Sequence, residues 1–156
     1  MSIAKYELYH GAVLTQIVRN PKKLSLKLIE RNKDEHGWAM YSISAGKEDY
    51  ILFVKTTGKI TQGRKDRYCN FTFSLGDIEL LNRYKDKKLL VVLVCGEEQI
   101  CLLTRKEVAF LRILESSKSC NVTVSWSRGS QLSVKSSYAR LGYKIARSAL
   151  RNYQWL

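Results

Sequence analysis

Apolar residues along this chain alternate between helical and strand spacing. Tyr6, Tyr9, Val13 and Ile17 recur at helical intervals with Ala12 and Leu14 beside them, which predicts an opening helix. Asn20-Pro21 ends it, because the residue before a proline is pushed out of the α region. Over residues 22–30, Leu24, Leu26 and Leu28 alternate with Ser25, Lys27 and Ile29, the pattern of a half-buried strand. Residues 32–37 read as a turn. Residues 38–43 and 50–55 read as second and third strands separated by the polar SAGKED stretch, and residues 70–73 as a short fourth strand.

Capping signals place two more helices. Ser74 with Asp77 three residues on opens a helix carrying Ile78, Leu81 and Tyr84. Thr104 and Glu107 form a full capping box before Val108, Leu111 and Leu114. Between them, residues 89–95 are continuously apolar, as in a strand buried on both faces, and residues 100–103 pair back after a turn at 96–99. Val122, Val124 and Trp126 alternate as a further strand. Beyond Leu132 the tail offers short β-like pieces, or a basic amphipathic helix over 138–151 with Leu141, Ile145 and Leu150 on one face. The expected fold is α/β, a single mixed β-sheet flanked by helices, in one domain over residues 1–156.

Composition fits a folded globule: hydrophobic residues make up 45% and there is one proline. The longest apolar run, 89–95, is too short to span a bilayer, and no basic-then-apolar leader opens the chain; no membrane association and a cytoplasmic location are expected. Charge changes the picture most. Lys plus Arg number 27 against 14 acids, a formal net charge of +13. Such a field draws in polyanions, nucleic acid foremost, with an acidic protein partner as the alternative. The four cysteines, Cys69, Cys95, Cys101 and Cys120, lack the close spacing of zinc ligands, and no metal ligand is assigned; they are expected reduced and buried, with Cys95 and Cys101 flanking a hairpin turn. Walker A, G-x-G-x-x-G, G-x-S-x-G and H-E-x-x-H motifs are absent, which excludes P-loop and dinucleotide-cofactor chemistry.

Cations gather in two places. The 58–67 loop carries Lys59, Arg64, Lys65 and Arg67 with Gly58 and Gly63, Tyr68 is adjacent, and Thr56, Thr57 and Thr61 add hydroxyls in and beside it, a composition suited to phosphate oxygens; otherwise it is a solvated hairpin loop. The tail carries Arg128, Arg140, Lys144, Arg147 and Arg151, with Lys135, interleaved with Trp126, Tyr138, Tyr143, Tyr153 and Trp155. Aromatics among cations stack on bases or close a core, and the alternating strand places Trp126 in the core. His10 beside Gly11 reads as a structural helix histidine, with general-base chemistry as the alternative and the glycine marking a close approach by a backbone or ligand. His36 is a turn residue.

The order helix, three-strand meander with a lysine ending the third strand, helix, buried strand resembles the PD-(D/E)XK (restriction-endonuclease-like) nucleases. That resemblance implies a restriction-endonuclease-like core and a site in which two carboxylates hold Mg²⁺ beside a lysine. Lys55 stands where the lysine of the acid-x-Lys pair belongs, but Phe53 occupies the acid's position and cannot bind a metal. Asp49 and Glu48 precede the strand, and Asp34 and Glu35 lie in the preceding turn. Read on its own, Lys55 is a strand-end lysine in solvent. The favoured function is therefore non-catalytic nucleic-acid binding, DNA before RNA, through the 58–67 loop and the tail, with Lys55, Lys59, Arg64, Lys65 and Arg67 neutralising phosphates and no cofactor. The alternative is a Mg²⁺-dependent nuclease using Lys55 with Asp49.

Overall fold

A computed structural model describes residues 5–19, 24–31 and 38–155. The Asn20-Pro21 stop, the 32–37 turn with Asp34, Glu35 and His36, and the side chain of Tyr6 lie outside the described residues.

Helix α1 (Lys5–Val18) leads into a meander of β1 (Leu24–Arg31), β2 (Trp38–Ala45) and β3 (Glu48–Thr57). Ser44-Ala45 and Glu48-Asp49 extend the strands, so the β2–β3 turn shrinks to Gly46-Lys47. Gly46 opens that two-residue turn at φ 64°, a conformation glycine adopts without steric cost. The chain then forms β4 (Thr61–Gln62), β5 (Arg67–Phe73) and α2 (Leu75–Asn82) before returning as β6 (Lys88–Cys95), parallel to β3. Next come β7 (Gln99–Thr104), α3 (Arg105–Phe110), β8 (Cys120–Trp126) and β9 (Ser133–Ser136).

The mixed α/β class is as expected, but there are two sheets rather than one. The larger has order β1-β2-β3-β6-β7 and the smaller β4-β5-β8-β9. The strand period of two explains the layering. In β3 and β6, Ile51, Phe53, Val91 and Leu93 face one way; Tyr50, Leu52, Leu90 and Val92 face the other. The first set meets Cys69, Phe71 and Phe73 of β5 and Val122, Val124 and Trp126 of β8. The second meets Tyr9, Val13 and Ile17 of α1, with Leu150 and Trp155 of the tail. The larger sheet is thus covered on both faces, which is why β6 is apolar from Leu89 to Cys95. β5 and β8 have one apolar face each and, paired with each other, lay it over the first sheet as a separate layer.

Helix caps form as the sequence signals. Ser74 Oγ accepts from the Asp77 amide at 3.1 Å, and Asp77 Oδ2 accepts from the Ser74 amide at 3.0 Å. Glu107 Oε1 accepts from both the amide and the hydroxyl of Thr104.

The tail is not a helix. Isolated bridges join Leu132 to Ile145 and Lys135 to Arg140, and turns follow. Leu141 and Ile145 enter the core between the sheets while Leu150 enters the core beneath α1. A helical stripe would have put all three on one surface; the tail instead wraps from one layer to the other. Strand β1 departs in a smaller way. Leu28 is 48% exposed, and Ile29 packs against the inter-sheet core where the pairing with β2 shifts register.

Candidate nucleic-acid interface

The basic 58–67 loop is partly strand. Thr61 pairs with Tyr68 and Gln62 with Arg67, leaving a short tip between β4 and β5. The Gly63 amide donates to the Asp66 carbonyl at 2.7 Å. A Cβ at Gly63 would lie 2.7 Å from Asp66 Oδ1 and 3.1 Å from its carbonyl oxygen, so a larger residue there would make the Asp66 side chain shift and the tip give slightly. Arg64 and Lys65 project from it into solvent.

Register brings a second turn to the same end of the sheet. Arg67 pairs with Trp126, the last residue of β8, so the hairpin tip lies beside the 127–130 turn. Gly129 holds φ 77° there, the Ser130 amide donates to the Ser127 carbonyl, and Arg128 is exposed. Arg147 joins from the tail: its Nη2 donates to the Ser127 carbonyl at 2.8 Å, and its amide donates to Gln131 Oε1. Arg67 is paired with Glu98 across the sheets at 2.8 Å. Among the described residues, Arg64, Lys65 and Arg128 make none of the ion pairs.

The other expected contacts scatter. Lys59 is exposed just beyond β3, its carbonyl accepting from Cys69 Sγ. Arg151 lines a groove with Arg147, Glu97, Glu98 and residues of α1. Lys144 borders a hollow with Thr104 and Glu107. Arg140 stands on the outer face of the smaller sheet, over a groove that also takes in Asp66, Tyr68 and Lys135. The loop and the tail therefore meet at one end and along the outer face of that sheet, while Lys144 belongs elsewhere.

Lys55 is not a solvated strand end. Its side chain is 13% exposed, its Nζ lies 2.9 Å from Asp77 Oδ2, and it sits 5.5 Å from the centroid of the Phe73 ring. One carboxylate thus caps α2 and holds the lysine, fastening the helix to β3. Phe53 is buried and stacked on Trp38 at 5.5 Å, so the acid position of the nuclease pattern is filled by core. Asp49 stands six positions before Lys55 on the same strand, roughly 20 Å away at strand rise. It accepts from Ser44 Oγ at 3.0 Å, and Glu48 pairs with Lys88 at 3.1 Å. The pairing of Asp49 with Lys55 is not assembled. Asp77, which the sequence presents only as a cap, is the carboxylate that reaches Lys55.

His10 is buried against the larger sheet with Nδ1 3.4 Å from the Tyr41 hydroxyl. A Cβ on Gly11 would meet nothing within 4 Å, so no close approach explains that glycine. All four cysteines are buried thiols. Cys95 faces Gln99 across the hairpin and Cys101 faces Leu93, so the two are not cross-strand partners. Cys69 is hydrogen-bonded to Cys95 instead, which lowers the Cys69 pKa and raises that of Cys95; burial raises that of Cys101. Trp126 is core, as are Trp155 and the half-buried Tyr153, which pack edge-on with Tyr50; Tyr138 and Tyr143 are exposed.

No family model, no curated protein and no solved structure matches this chain, so the likeness to nucleases rests on the order of elements and on Lys55 alone.

Proposed function

We propose that this chain is a nucleic-acid-binding protein, DNA before RNA, that engages phosphates from one end of its smaller sheet. The observation that carries this reading is the meeting of two turns: Arg64 and Lys65 on one, Arg128 on the other, all exposed and outside any ion pair among the described residues. Mobile cations at adjoining turns suit phosphate oxygens, whose spacing along a strand they can follow. Arg147 and Arg67 stand behind them, each held by a partner, and contribute to the local field more than to direct contact. The net charge of +13 gives the long-range attraction that brings a polyanion to this end.

Binding is favoured over cleavage because Lys55 is committed to Asp77 and stands apart from Asp49. Fluorescence anisotropy with labelled DNA tests the reading. The expected result is binding at low ionic strength that weakens linearly in log affinity against log salt. Absence of binding to both duplex and single-stranded DNA at low salt would falsify it.

A further inference from the structure

The outer face of the smaller sheet carries a groove of about 360 Å³ whose lining changes character along its length. Strand register sets out two rungs. Tyr68, Ser125 and Ser133 face one another on the first; Asn70, Thr123 and Lys135 on the second. Thr123 Oγ1 donates to Asn70 Oδ1 at 2.7 Å, which engages the amide's carbonyl on the neighbouring strand. Asp66, on the hairpin tip, lies beyond the first rung, and Arg140 is bridged to Lys135 at the second. A carboxylate therefore stands at one end, two cations at the other, and an aromatic ring, hydroxyls and an amide between. Neither Lys135 nor Arg140 is in an ion pair among the described residues.

We infer that this groove seats one nucleotide of a single strand, its phosphate on Lys135 and Arg140 and its base against the Tyr68 ring, with donor groups of base or sugar turned to Asp66. The inference rests on the nucleic-acid reading above and specifies the form of the polymer. The lining selects the orientation: the phosphate is held by Lys135 and Arg140, while Asp66, an acceptor at the far side of the groove, takes donor groups of base or sugar. An aromatic ring on an open sheet face is a platform for a base that has left its stack, since bases in a duplex present only their edges. Arg64 and Lys65, next to Asp66 in the chain, continue a cationic track off the groove for the neighbouring phosphates. A lone mononucleotide would make no use of that track.

The test compares a labelled mixed-sequence DNA strand with the same strand annealed to its complement, for the unaltered protein, Tyr68→Leu and Arg140→Ala. The single strand is expected to bind more tightly than the duplex. Tyr68→Leu should weaken single-strand binding at least about fivefold and leave duplex binding unchanged. Arg140→Ala truncates an exposed side chain and should weaken the single strand in the same direction, so the test survives a folding defect in the tyrosine variant. Duplex binding as tight as or tighter than that of the single strand overturns the groove assignment while leaving the phosphate reading standing. Single-strand affinity unchanged in both variants does the same. Binding of neither form at low salt removes both.

Discussion

Asp77 is one residue serving two contacts, and the two differ in how far the sequence shows them. Its cap on α2 follows from Ser74 standing three residues before it, a purely local relation. Its bond to Lys55 crosses 22 positions and depends on how β3 and α2 meet, which no spacing encodes. The same holds for Phe53: its place in the continuous apolar run 50–54 predicts burial, but its stacking on Trp38 comes from strand register. The Lys55–Asp77 pair is mostly buried, so breaking it strands a charge. Asp77→Ala should destabilise the fold by about 3 kcal/mol, the sum of an uncompensated lysine and a lost cap. Adding Lys55→Met should recover about 2 kcal/mol of this by removing the stranded charge. Urea titration of both variants measures it, and a loss under about 1 kcal/mol for Asp77→Ala would contradict the pair's role. Lys55→Met should also leave DNA affinity unchanged, because this lysine is turned into the structure.

At the scale of elements, strands and helices with strong periodicity were legible, and their assembly was not. The continuous apolar run of β6 announces a strand covered on both faces, and it is one. The alternation of β8 announces a single buried face, but is identical whether the strand joins the first sheet or builds a second. The tail misleads for a related reason. Leu141, Ile145 and Leu150 match a helical stripe, yet they anchor separate turns in two cores. One consequence lies at the tail's end, where Tyr153 packs edge-on to Tyr50 and Trp155. Burial, with the neighbouring Tyr50, pushes the Tyr153 pKa up to about 12 from its usual 10.0. The folded state then keeps a proton that the unfolded chain gives up. Stability from this site is full below about pH 10 and falls as the pH rises toward about 12. Tyr41 and Tyr143, also raised, fall in the same direction. Tyr153→Phe should make the decline over that window shallower in thermal melts; an unchanged slope would show that the tail's ring cluster does not hold the proton.

For the whole molecule, charge was the most informative property of the sequence and location the least. A net charge of +13 favours the polyanion partner proposed above but names no site for it. The β5–β8 register sets the 63–66 tip beside the 127–130 turn, and the proposal puts the contact there. Arg64, Lys65 and Arg128 were recognisable as candidates one by one, whereas Lys144, in the same list of tail cations, stands by Glu107 and away from them. Tyr68 stood out only as the neighbour of the basic loop, and Asp66 and Asn70 drew no attention as ligand contacts, because a polar tip residue and an outward strand position look like any solvated face. Their convergence with Lys135 and Arg140 appears only when β5, β8 and β9 are laid side by side. The most direct measurement is the salt dependence of DNA affinity for the unaltered protein and for a variant carrying Arg64→Ala, Lys65→Ala and Arg128→Ala together. If these three contact phosphates, the slope of log affinity against log salt falls by about 3 in magnitude on duplex or about 2 on single strands, and affinity at low salt drops about tenfold or more. A slope and affinity equal to those of the unaltered protein would contradict the interface described here.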